Sequence, residues 1–231
     1  MKYTKTSSTA FPLIEVTLQE GESIRMENGF MVYHNGMIEL EGKMNSNGKS
    51  GVGGLLSAIG RSATGGESFF ITTATGTSSN SKIALAPATV GEIKELEVGS
   101  TQWRLNTGAF LACDINVNYN MVRQKLDNAI FGGTGGLFVM ETAGNGSMLI
   151  NGYGDIVEIE LTGESPMVID NLHVLAWTTG LEYKIKQASG FVGFKTGEGL
   201  VNEFHGIGKV LIQTRNIEGL AGLIDPFITK S

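Results

Sequence analysis

One order of segment types recurs three times along this chain, and a chain whose thirds share a plan folds as copies of one unit stacked on each other. Each third opens with alternating residues: Ile14-Glu15-Val16-Thr17-Leu18, Ile93-Lys94-Glu95-Leu96-Glu97-Val98 and Ile156-Val157-Glu158-Ile159-Glu160-Leu161. A period of two is the mark of a strand with one buried face. A turn follows, as in Glu20-Gly21-Glu22-Ser23 and Thr162-Gly163-Glu164-Ser165, and then a second strand. That strand leads into an apolar stretch: Gly29-Phe30-Met31-Val32-Tyr33, Gly108-Ala109-Phe110-Leu111-Ala112 or Leu172-His173-Val174-Leu175-Ala176-Trp177.

The second half of each third keeps the same order. A glycine-rich loop runs into an apolar strand at Gly65-Gly66-Glu67-Ser68-Phe69-Phe70, Gly133-Thr134-Gly135-Gly136-Leu137-Phe138 and Thr196-Gly197-Glu198-Gly199-Leu200-Val201. The closing strands are Lys82 to Ala86, Ser147 to Asn151 and Lys209 to Gln213. The expected organisation is an N-terminal tail (1–12), three β repeats (13–90, 91–153 and 154–215) and a C-terminal short helix with a tail (216–231). Gly29 and Gly108 lie 79 positions apart while Gly108 and Leu172 lie 64 apart, so repeat 1 carries an insertion, placed at 45–64. Short helices are expected at 55–59, at 121–131 before a glycine pair, and at the C-terminus, where Leu220, Leu223, Ile224 and Phe227 share a face that Pro226 interrupts.

Composition agrees with an all-β chain rich in turns. Glycine makes up 33 of 231 residues beside only 4 prolines, as many tight turns require. Charged residues are 17% of the chain against a usual value of about 25%. The net charge of −6 and pI near 5.1 argue against a phosphate-binding surface, which needs clustered Lys and Arg. Cys113 is single, so no intrachain disulfide forms, and Met1 to Leu13 has no apolar core of a signal peptide. No apolar run reaches membrane-spanning length. A soluble, cytoplasmic protein is expected.

Several of these motifs, taken together, resemble a known family. The run Glu27-Asn28-Gly29-Phe30-Met31-Val32-Tyr33, the Gly65 to Phe70 loop, Ile83-Ala84-Leu85-Ala86-Pro87, Gly91-Glu92-Ile93 and Leu211-Ile212-Gln213-Thr214-Arg215 are similar to the bacterial family related to the mitochondrial biogenesis protein Altered Inheritance of Mitochondria. The resemblance spans Leu13 to Arg215. It implies a fold similar to the tryptophan RNA-binding attenuation protein, a short double-stranded β-helix or small sandwich present three times per chain. It also implies a homotrimer in which the units close a ring. The chain departs from the pattern at Leu172, where glycine is expected, and at Gly135, where the other loops carry Glu67 and Glu198.

Chemistry-bearing motifs are sparse. Gly48-Lys49-Ser50 ends like a phosphate loop but follows Gly42 by the wrong spacing, so a plain loop is expected. The glycine pairs at 53–54, 65–66 and 132–133 lack the strand-turn-helix setting of a dinucleotide fingerprint. His34, His173 and His205 have no zinc-type spacing, and a Gly-x-Ser-x-Gly elbow is absent. Cys113 reads as a small buried hydrophobe, and Phe69, Phe70, Phe138, Trp103 and Trp177 as core residues. The candidate binding residues are the loop carboxylates Glu67 and Glu198 with Gly65, Gly66 and Gly197, which would hold a cation or a basic partner, or simply fix the turn.

No catalytic constellation, metal set or cofactor is expected, and three functions follow in order. The first is a non-catalytic oligomeric scaffold or binding module with a protein or small-molecule partner. The second is a nucleic-acid-binding ring by fold analogy, disfavoured by the acidic charge. The third is a small-molecule enzyme with a cleft between repeats. The C-terminal apolar face, free of Lys and Arg before Lys230, is expected to dock on the protein itself rather than on a membrane.

Overall fold

The computed structural model describes residues 1–44, 70–106, 108–123, 138–188 and 199–228. The described chain is mostly antiparallel β-structure, with one short α-helix. The first strands are β1 (Lys2–Lys5), β2 (Ile14–Leu18), β3 (Ser23–Glu27), β4 (Met31–His34), β5 (Ile38–Met44), β6 (Phe70–Gly76) and β7 (Ser81–Leu85). Then come β8 (Ile93–Val98), β9 (Trp103–Asn106), β10 (Phe110–Asp114), β11 (Val117–Arg123), β12 (Phe138–Gly144) and β13 (Gly146–Asn151). The last are β14 (Ile156–Thr162), β15 (Met167–Asp170), β16 (Val174–Thr178), β17 (Glu182–Gln187), β18 (Leu200–His205) and β19 (Ile207–Gln213), followed by the helix α1 (Ile217–Ile224).

The alternation in the opening strands is realised: β2 buries Ile14, Val16 and Leu18 completely and leaves Glu15 and Thr17 half-buried. Pairing within the chain follows one rule. The order β2-β7-β4 is matched by β8-β13-β10 and by β14-β19-β16, and β3-β6-β5 is matched by β9-β12-β11 and β15-β18-β17. Even an irregularity is shared, because β4, β10 and β16 each slip by one residue against their partner, at Met31/Tyr33, Phe110/Ala112 and Val174/Ala176. Two junction pairs, β3 with β10 and β9 with β16, fuse these three-stranded groups into six-stranded sheets.

A six-stranded sheet of this kind has a core on each face. Around Ile14, Ile24, Leu85 and Leu111 lies one core, around Leu105, Phe110, Met148 and Leu211 a second, and around Trp177, Phe204 and Val210 a third. Trp177 sits edge-on to Tyr183 and Phe204, with centroids 4.9 and 5.6 Å away. As expected, Trp103 and Trp177 are buried in cores and Cys113 is buried.

Some expectations need correcting. Within the expected tail 1–12, β1 adds to the free side of β2, and the N-terminal amine forms an ion pair with Asp114 at 2.5 Å. Met121 to Arg123, expected to begin a helix, instead end β11, because that strand pairs with β12 over its whole length from Val117 to Arg123. Residues 124–131 and the insertion at 45–64 lie outside the described residues. The C-terminal helix forms as expected, capped by Asn216 and followed by a 3₁₀ turn over Asp225–Phe227 that contains Pro226. It does not dock, however, since it has no buried residue and Leu223 and Phe227 are 73% and 87% exposed. The departure at Leu172 also has a structural answer: Gly29 and Gly108 turn with φ of +85° and +83°, whereas Leu172 lies in a 3₁₀ turn (Asn171–His173) and donates its N–H to Asp170 Oδ1.

The connections between thirds lean on each other. Gly91 N–H donates to Ala10 O, Gly154 N–H donates to Val90 O, and Gly91 and Gly154 form a parallel bridge. A Cβ on Gly91 would run into the backbone of Gly152 and Gly154, whereas one on Gly42 would meet nothing within 4 Å. Gly91→Ala should therefore destabilise the protein by about 1–3 kcal/mol, and Gly42→Ala should leave it nearly unchanged, as read by urea unfolding.

Candidate functional site

All five candidate binding residues, Gly65, Gly66, Glu67, Gly197 and Glu198, lie outside the described residues. So do the Gly48-Lys49-Ser50 segment, the three glycine pairs and Phe69. The three histidines are described and are not brought together. His173 is held locally: its Nδ1 donates to Gln213 O at 2.7 Å and its Nε2 accepts from Asn216 Nδ2 at 2.9 Å. His205 pairs with Glu203 at 2.8 Å, and His34 Nδ1 accepts from Gly36 N–H. Among the described residues, no group of three His, Cys, Asp or Glu side chains could hold a metal ion. Burial pushes the Cys113 thiol up to about 12, which removes thiolate chemistry at neutral pH.

Two surface features remain. The first is an open groove of about 620 Å³ beside β8 and β14, lined among others by Trp103, Ile207, Lys94, Glu158 and Lys209. Its cations are not free. Glu158 accepts from Lys94 Nζ at 3.0 Å and from Lys209 Nζ at 2.5 Å, and these two ammonium groups hold its carboxyl below the usual carboxylate range. A groove whose lysines are already compensated has little pull on phosphate.

The second feature is a pair of edge strands, β4 and β15, whose counterparts in the other groups (β10 and β16, β3 and β9) are interior strands. In β4 every residue is exposed, with Val32 at 54% and Tyr33 at 45%. Its one strand partner among the described residues is β7. In β15, which pairs only with β18 among them, Val168 is 53% exposed while Ile169 is buried. An unpaired edge with large apolar side chains is the kind of surface that soluble proteins cover. The sequence carries an apolar stretch at Gly29–Tyr33 and a strand after the Thr162–Ser165 turn, but no sign that either is an edge, because alternation gives a strand's faces and not its neighbours.

One titratable group in the interior stands out. Glu27, at the end of β3, is pushed up to about 7 by burial, and its Oε2 is buried without a hydrogen-bond partner. The matching residue at the end of β9 is Asn106, whose Nδ2 donates to Val174 O at 2.9 Å. A carboxyl whose folded pKa lies above its unfolded value binds its proton more tightly in the fold, so stability is lost as pH climbs from the ordinary carboxylate range to about 7. Glu27→Gln should thus unfold at a higher temperature than the parent protein at pH 8 and at nearly the same temperature at pH 4, in matched thermal melts.

The comparisons with known proteins bear on this arrangement as a whole. The profile of the mitochondrial biogenesis AIM24 family matches residues 3–215. An uncharacterized protein of Streptococcus pyogenes serotype M6 is 47% identical over 232 residues, covering 100% of this chain and 92% of the relative. An X-ray crystal structure of a Streptococcus pyogenes protein superimposes with a TM-score of 0.80 at 42% identity, over 98% of this chain and 99% of that one.

Proposed function

This chain belongs to the mitochondrial biogenesis AIM24 family, and from that starting point we propose that it serves as a non-catalytic, self-associating scaffold or binding module. The supporting observation is the pair of edge strands β4 and β15, each paired on one side only among the described residues, which carry Met31, Val32, Tyr33, Met167 and Val168 into solvent. These side chains are about half exposed, so covering each one recovers roughly half of the 1.5–3 kcal/mol that full burial of such a side chain contributes. The backbone N–H and C=O groups along the same edges gain partners at the same time.

A homotrimer is the stoichiometry that the family resemblance implies, and a cytoplasmic setting accords with one buried cysteine. No described helix is long and apolar enough to cross a membrane. The acidic residues Glu218 and Asp225 on and beside α1 also weaken its attraction to anionic lipid. Native mass spectrometry and sedimentation across the micromolar range should give a multiple of the 24.6 kDa chain mass. A strict monomer throughout that range would remove the scaffold reading.

A further inference from the structure

The two free edges are complementary, and the chain itself shows how such edges join. In β3, Met26 stands opposite Ala112 of β10 and Arg25 opposite Cys113; in β9, Leu105 stands opposite Ala176 of β16 and Arg104 opposite Trp177. Among the described residues, the strand of the first kind that lacks such a partner is β15, and the strand of the second kind that lacks one is β4. Registers on the paired sides give the correspondence. Met26, Leu105 and Ile169 stand opposite Thr72, Met140 and Asn202, each the third residue of its strand β6, β12 or β18. Tyr33, Ala112 and Ala176 each follow the shared one-residue slip.

The cores tell the same story. Leu111, Ala112 and Leu149 of the β10 group complete the first core, and Leu175, Ala176 and Leu211 of the β16 group complete the second. The corresponding residues for the third core are Val32, Tyr33 and Ala84, and none of them is in it. Their exposure shows the difference: Leu111 and Leu175 are 0% and 4% exposed, while Val32 is 54% exposed.

We propose that β15 of one copy pairs antiparallel with β4 of a second copy, with Ile169 opposite Tyr33 and Val168 opposite His34 of that second copy. This rests on the self-association reading and adds direction and register to it. The contact is head-to-tail, so copies form a closed ring or a growing chain and never a two-fold β4–β4 or β15–β15 dimer. It also differs in chemistry from the internal junctions. There Arg25 donates to the carbonyls of Ile115 and Val117, and Arg104 donates to those of Thr179 and Leu181. Val168 stands in the arginine's place, so the junction between copies is held by apolar burial and ladder hydrogen bonds without a guanidinium clamp.

Directly opposed residues place their Cβ atoms at disulfide distance. Val168→Cys combined with His34→Cys should give covalent multimers on mild oxidation about tenfold faster than either single variant, because the buried thiol of Cys113 does not compete. The offset pair Val168→Cys with Val32→Cys should stay slow. An assembled mass with no preference for the matched pair would overturn the register while leaving the scaffold reading standing; a strict monomer would overturn both. If the paired variants misfold, amide hydrogen exchange of the unmodified protein decides. Assembly should slow β4 and β15 about tenfold or more and leave β5 and β17 unchanged, and unprotected β4 and β15 in an assembled sample would sink the pairing.

Discussion

Backbone pairing across the β3–β10 and β9–β16 junctions is the interaction on which the rest of the fold depends. Without it the chain would be a string of three-stranded pieces, each with one wet face and two raw edges. With it, each six-stranded sheet works twice, closing one core on one face and the next core on the other. That double duty is why Phe110, Leu111, Ala112 and Cys113 are all buried in succession, and likewise Val174 to Trp177. A strand covered on both faces has no need to alternate.

This explains how much of the fold could be read from the residues. Strands with one buried face announce themselves: the opening strands of the first two thirds begin and end at Ile14–Leu18 and Ile93–Val98, the bounds their alternation predicts. The apolar runs at 108–112 and 172–177 were visible as strands, but not that their second face would be covered by a neighbouring sandwich. Met121 and Val122 were misread because apolar residues at 122, 126, 129 and 130 fit a helix locally, while the long pairing of β11 with β12 is a non-local fact. β1 escaped notice for a related reason, since Lys2-Tyr3-Thr4-Lys5 has no apolar face and is held by the exposed edge of β2 and by Tyr3 donating to Glu95.

Several acidic residues of the opening strands have partners on other strands. Glu15 accepts from Lys82 and Tyr33, Glu95 from Tyr3, and Glu158 from Lys94 and Lys209. Such exposed pairs are individually weak, about 0–1 kcal/mol, so their value is in keeping like charges apart along adjacent strands rather than in binding anything. The loop carboxylates Glu67 and Glu198 were legible as candidates only through the repeat, and the described residues do not include them.

The low charged fraction of the sequence follows from the same architecture. Sheets with cores on both faces leave few positions for charge, and the strands that end the series inherit the apolar character of the interior strands they match. Met31, Val32 and Tyr33 are the counterparts of Phe110, Leu111 and Ala112, residues that are fully buried. A sequence that repeats its strand plan without adding charge at its two ends has not been blunted against edge pairing in the way isolated sheet proteins are. The first and last edges therefore retain the form of an internal junction.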